Sequence, residues 1–228
     1  MRDLYFVVEG ETELEFVDRI LIPFFYERGA KCHIQAILIT MSGGGHGFNN
    51  IQHFLNTINP VLHYSGEPII TTLVDFFRLN SEVKLPGYSG CLNLNSADNK
   101  IDYLQNKLSE AVGSLGHYRF FIPYIQKHEI ETLFFASPEQ GFELEDQRIV
   151  DAVVQIVQQY HDIEDINGTA EGSPSNRLKA IYESIGRKYE KTVDGIDIAE
   201  FTGIENILKK CPRFKAWVDN LLYALHNW

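Results

Sequence analysis

Carboxylates occur at three places in this 228-residue chain where they could hold a divalent cation. Glu9, Glu11 and Glu13 crowd the stretch VVEGETELEF, Asp75 closes PIITTLVDF, and Glu129 and Glu131 share YIQKHEIETLFF. Hard oxygen donors of this kind suit Mg²⁺, which binds through one or two carboxylates and keeps several waters. Such an ion beside a phosphodiester neutralises its charge and activates water. Glu9 directly follows the apolar run LYFVV. On spacing alone it serves equally well, with Glu13, as an acidic complement to a helix N-terminus, while Glu11 reads as solvated. Asp75 ends an apolar segment and is poorly placed for burial without a partner.

His128 and Glu129 open like the zinc helix HExxH, but the fifth position is Thr132, so the second histidine ligand is missing and zinc is rejected. On a helix Glu129 and Glu131 point to nearly opposite sides, so one of them faces a metal unless the segment begins extended. His128 lies three before Glu131 and shares its face; a helix cap is the alternative for Glu129. The glycines of SGGGHG lack the lysine of a phosphate loop and read as a flexible turn. SPSNRL opens a helix with Ser175 and Arg177 in its first turn, where an anion would bind; a plain cap is the competing reading.

Positioning these residues requires strands that end at one edge. Leu4 to Val8 is a continuous apolar run expected of a buried parallel strand. From Thr12 the period turns helical, and Pro23 predicts a kink before Gly29. His33 to Thr40, Pro68 to Phe76 and Arg119 to Ile125 read as further strands. Helices fall between them, one capped by Asn49 or Asn50 and another at about Ala97 to Val112. The alternation predicts an α/β fold with a parallel, Rossmann-like sheet covered by helices. Open sheets of this class bind ligands at the carboxyl ends of their strands, which is where Glu9 and Asp75 fall. Beyond Ile125 the pattern is helical: Glu129 to Ala136, Glu145 to Tyr160, Asn176 to Ser184, and Ile204 onward. The polar linker EDINGTAEGSPS is a loop. One α/β core over residues 1–137 with a helical C-terminal extension over 138–228 is expected.

Hydrophobic content of 44% and charged content of 22% are ordinary for a folded globular chain. No apolar run reaches membrane-spanning length, and the N-terminus lacks a signal-peptide pattern, so no membrane partner and a cytoplasmic location are expected. Cys32, Cys91 and Cys211 form no metal or disulfide spacing. A net charge of -11 argues against indiscriminate coating of DNA. The segment Pro174 to Lys215 nevertheless carries nine Lys and Arg against six acids, leaving about -14 on the remainder. That basic face meets either a polyanion or solvent.

Together the motifs resemble a family. VVEGETE resembles the glutamate motif of TOPRIM domains, shared by topoisomerases, primases and OLD-type nucleases. TTLVDFFRLN with LPG, PYIQKHEIETLFF, SPSNRL and KKCPRFKAWVDNL resemble, in order, motifs of a bacterial TOPRIM-like domain of unknown function. Its members read D-[FY]-[FY]-G-L-P, H-E-F-E-A-L-L-F, P-S-K-R and C-P-x-F-x-x-W, and the likeness runs from residue 7 to about 222. The resemblance implies a TOPRIM-like core and Mg²⁺- or Mn²⁺-dependent phosphodiester chemistry on DNA or RNA. It assigns Glu9 the acid/base glutamate and Asp75 the first aspartate, with Glu131, then Glu129, as the further glutamate of OLD-like relatives. Glu13 and His128 are supporting residues. Phe77 stands at the second aspartate and Asn176 at the usual lysine, whereas Arg177 is retained. Relatives also imply an ABC-type ATPase partner in anti-phage defence, and a homo-oligomer is left open. Phe77 favours the runner-up, a non-catalytic module that binds an ATPase or a nucleotide. The metal reading requires the carboxylates of Glu9, Asp75 and Glu129 or Glu131 to converge within roughly 5–8 Å.

Overall fold

A computed structural model of the chain describes residues 1–41, 43–116, 118–166 and 172–228. The turn SGGGHG lies outside the described residues at Ser42, and the linker EDINGTAEGSPS at 167–171. Strand β1 (Leu4–Val8) leads to helix α1 (Glu11–Phe16), a π-helical turn (Val17–Leu21) and α2 (Ile22–Glu27). The helix foreseen here as one kinked element is thus divided by a wide turn just before Pro23. A proline lacks the amide that would continue the regular i→i−4 ladder.

Strand β2 (Ile34–Leu38) precedes α3 (Ile51–Leu62), whose cap is Asn50, accepting from Gln52 N at 2.8 Å. Strand β3 (Ile69–Asp75) follows, then α4 (Tyr88–Cys91) and α5 (Ala97–Gly113). The single fourth strand expected over Arg119 to Ile125 is instead two short ones, β4 (Phe121–Ile122) and β5 (Ile125–Gln126). Pro123 offers no ladder donor between them. Thr72 fills the gap, its hydroxyl donating to Tyr124 O and accepting from Tyr124 N, both at 2.8 Å.

The sheet is parallel in the order β2-β1-β3-β4, with β5 also on β3. β1 and β3 are fully buried, β1 as a continuous apolar run and β3 with Thr71 and Thr72 satisfied by Ile122 O and Tyr124 O. Helices follow in α6 (Pro138–Gly141), α7 (Gln147–Val157), α8 (Pro174–Ser184), α9 (Ile196–Thr202), α10 (Ile204–Lys210) and α11 (Pro212–Asn227). Pro212 breaks the last predicted helix in two.

C-terminal side chains enter the same core as the sheet. Trp217 of α11 meets Phe6 edge-on at 5.9 Å, stacks on Tyr124 at 4.2 Å and donates Nε1–H to Thr71 Oγ1 at 2.8 Å. Buried Glu164 accepts from the amides of Arg213 (2.7 Å) and Phe214 (3.1 Å), satisfying orphan donors at the start of α11. Among the described residues no helix is long and apolar enough to cross a membrane.

Candidate active site

Three neighbouring strands deliver carboxylates to one edge of the sheet. Val8 is in register with Leu73 and Asp75 with Gln126. Glu9, Asp75 and the segment after Gln126 therefore leave β1, β3 and β5 on the same side. Glu129 is extended (φ −135°, ψ 156°), so the following 3-10 turn, Ile130–Ala136, starts at the right place to turn Glu131 inward. Glu9, Glu13, Asp75 and Glu131 are all buried, Glu131 completely.

Crowding at this edge perturbs their ionisation. Burial, and then the charge of Glu13, push the Glu9 carboxyl up to about 8 against the pull of Arg78. Burial raises Glu13 to about 7, with Glu131 adding to the shift. Asp75 is raised well above the usual carboxylate range by burial and by repulsion from Glu13, Glu9 and Glu131. Burial also raises Glu131, opposed by Lys191. Buried acids whose ionisation is shifted by burial and by one another occur at functional sites and in structural ion-pair networks alike.

Two cations answer the cluster. Lys191 Nζ lies 2.5 Å from Glu131 Oε1, and Arg78 Nε lies 3.2 Å from Glu9 Oε1. Glu9 Oε2, Asp75 Oδ1 and Glu131 Oε2 are buried without a hydrogen-bond partner, a costly state that a bound cation would relieve. The donor set is all hard oxygen and so fits Mg²⁺ or Mn²⁺ chemically. Among the described residues, no three His, Cys, Asp or Glu side chains already stand in a metal-holding arrangement. The site is an acidic cluster charge-balanced in part by Lys191 and Arg78.

The remaining candidates take different places. Glu11 is exposed. Glu129 is half-buried, and its Oε2 accepts from Ser175 N at 3.0 Å, joining it to the start of α8. Arg177 donates Nε–H to Gly172 O (2.6 Å) and Nη2–H to Tyr160 Oη (2.9 Å), so its guanidinium ties the chain together. His128 is buried in a left-handed conformation (φ 68°) that glycine normally occupies. Burial, reinforced by Lys127, lowers its imidazole to about 4, leaving it neutral near pH 7. Its ring lies against Phe77 at 5.4 Å, and its carbonyl accepts from Phe77 N. Lys191, Arg78 and Lys84 were not singled out from sequence. Arg78 lies three residues past Asp75, a proximity that spacing alone could have flagged.

A model of the family described as "Domain of unknown function (DUF4276)" matches residues 8–222. Comparison with curated proteins finds no match. Two solved structures of the C-terminal region of the Xanthomonas campestris pv. campestris OLD protein are similar. The mercury-phased one has a TM-score of 0.47 at 15% identity, covering 98% of this chain and 96% of that one. The platinum-phased one has a TM-score of 0.44 at 16% identity, covering 99% and 94%.

Proposed function

The chain belongs to the DUF4276 family, and from that premise we propose that it is a metal-dependent, TOPRIM-like endonuclease acting on nucleic-acid phosphodiesters. The carrying observation is the delivery of Glu9, Asp75 and Glu131 by adjacent strand ends to one buried edge, with oxygens lacking partners. Their order along the chain is the one the TOPRIM resemblance assigns. Asp75 and Glu131, with Glu9 and Glu129 at either side, would hold Mg²⁺ or Mn²⁺. The bound ion supplies charge neutralisation at the phosphate and a more acidic water. The resemblance gives Glu9 the acid/base role; in the metal-free chain burial raises its carboxyl to about 8. Arg78 and Lys84, at the rim of the adjoining cleft, meet phosphate oxygens; Ser175 N and the Arg177 guanidinium, engaged by Glu129, Gly172 and Tyr160, are structural instead. A net charge of -11 makes the cation a condition of substrate approach. An ABC-type ATPase partner and an anti-phage role extend the same reading.

The test mixes the pure protein with plasmid DNA and with RNA, in Mg²⁺ or Mn²⁺, with and without a partner ATPase. Cleavage is expected from the wild type, and Glu9→Gln and Asp75→Asn should reduce it at least about 100-fold. No cleavage in any arm overturns the reading; equal cleavage by both variants overturns the site. Phe77 at the second aspartate favours a second reading, a non-catalytic module that binds an ATPase or a nucleotide. Nucleotide or ATPase binding without cleavage would select it.

Gly10 supplies a gentler probe. A Cβ there would sit 2.9 Å from Glu13 Oε2, while the backbone (φ −144°, ψ 175°) accepts any residue. Gly10→Ala should therefore displace the carboxylate and leave the fold intact, with a stability change below about 1 kcal/mol. Metal-dependent cleavage should fall about ten-fold or more for a displaced group. Unchanged cleavage would remove Glu13 from the site.

A further inference from the structure

A cleft of about 370 Å³ opens beside the carboxylate edge, with Phe77, Arg78, Asn80, Lys84 and Asn176 among its lining. Its size is that of a small-ligand site. It shares Glu129 with the acidic cluster next to it, but the rest of its lining is an aromatic ring, two cations, two side-chain amides and a serine. Phe77 is half-buried, and His128 presses against its ring at a centroid distance of 5.4 Å, fixing its orientation at the cleft wall. Arg78 links the two regions through Glu9 at 3.2 Å. Among the described residues Lys84 has no carboxylate within ion-pair distance.

We infer that this cleft is a subsite for an unpaired nucleobase of a single-stranded nucleic acid, with Phe77 as its stacking platform. Arg78 and Lys84 take the flanking phosphates, and Asn80 and Asn176 face the base edge. The assignment rests on the nuclease reading and names its substrate class. A base inside a duplex has both faces occupied by its neighbours, whereas an unstacked base presents a π-face to an aromatic ring. Phenylalanine cannot ligate a cation, so the residue beside Arg78 contributes shape and stacking. An aromatic wall with cations at its rim is the combination that holds single strands with little sequence preference.

Binding tests this without requiring cleavage. The full chain carrying Asp75→Asn is titrated into fluorescein-labelled oligo(dT), oligo(U) and a blunt DNA duplex, each of about twelve nucleotides or base pairs, in Mg²⁺. Anisotropy should show one or both single strands bound more tightly than the duplex, and the two strands distinguish a DNA from an RNA substrate. Adding Phe77→Ala should weaken single-strand binding about ten-fold, the effect of one lost stacking contact. Duplex binding should be unchanged, and Phe77→Trp should restore the single-strand affinity. Thermal melts confirm that each variant is folded. Equal single-strand affinity of Phe77→Ala, tighter binding of duplex, or no binding of any probe overturns the subsite. Stacking-dependent binding by a wild-type chain that never cleaves would sink the nuclease reading alone. Metal-dependent cleavage with Phe77→Ala neutral for binding would sink the subsite alone.

Discussion

Asp75→Asn is expected to make the metal-free protein more heat-stable at pH 8 while removing its metal-dependent cleavage. Most substitutions of a buried residue destabilise, so the opposite sign is diagnostic. Asp75 is buried at the end of β3, repelled by Glu13, Glu9 and Glu131, and its Oδ1 has no hydrogen-bond partner. Asparagine keeps the shape and deletes the charge. Because burial and its neighbours raise the folded-state affinity of Asp75 for its proton, folding binds a proton that the unfolded chain releases above about pH 4. Stability tied to this group is therefore greatest at low pH and declines as pH rises from about 4 toward its raised folded value. The amide of the variant escapes that decline, and the gain should be about 1–3 kcal/mol at pH 8, or roughly 2–10 °C for a chain of this size. It should vanish near pH 4. Calorimetry in EDTA at pH 4 and pH 8 reads both halves. A lower melting temperature for the variant at pH 8 would mean that the protein holds the Asp75 carboxylate for structural reasons.

The same neighbourhood explains what a sequence can and cannot reveal. β1 was legible as an unbroken apolar run and β3 as a run of apolar and β-branched residues, and Glu9 and Asp75 because a charge closing such a strand needs a reason. Spacing left Glu129 and Glu131 open and the family resemblance put Glu131 first; one extended residue that begins the 3-10 turn sets which way each side chain leaves the backbone. Side-chain bonds were invisible: Thr72 bonding Tyr124 divides a predicted strand, and Glu129 reaching Ser175 N fills the helix end that had looked open to an anion. Lys191 was the largest omission. It sits in a segment whose lysines and arginines read as a solvated face, some sixty residues from Glu131. Only the packing of the π-helical turn Lys191–Gly195 against α1 brings its ammonium to the carboxylates. Partners of this kind depend on tertiary placement, which no local period encodes.

Lys191 is also the residue through which the cation requirement can be measured apart from catalysis. Burial opposes its charge, but Glu131 first, then Glu129 and Asp75, hold the ammonium ionised. Lys191→Met keeps most of the stem and removes the charge, leaving Arg78 and Lys84, both on the Glu9 side, to balance the cluster among the described residues. Removing one partner of a fully buried ion pair costs about 3–5 kcal/mol. Lys191 keeps 31% of its side-chain surface exposed, and solvent screening reduces the expected loss to about 1–2 kcal/mol at pH 8 in EDTA. The sign with pH is fixed by the carboxyls it faces. Glu9 and Glu13 are raised to about 8 and 7, and Asp75 and Glu131 are raised as well. Between about pH 4.5 and pH 8 the folded cluster therefore holds protons that the unfolded chain does not, and metal-free stability falls as pH rises through that window. The Lys191→Met deficit should follow, small at pH 5 where protons neutralise the cluster and full at pH 8. Mg²⁺ competes with those protons, so it should raise the melting temperature more at pH 8 than at pH 5.5. It should also raise it more in Lys191→Met than in the wild type, because the ion replaces the missing charge. Equal Mg²⁺ stabilisation of both proteins at both pH values would show that the cation does not enter this cluster. A deficit independent of pH would show that Lys191 acts through its packing and not through its charge.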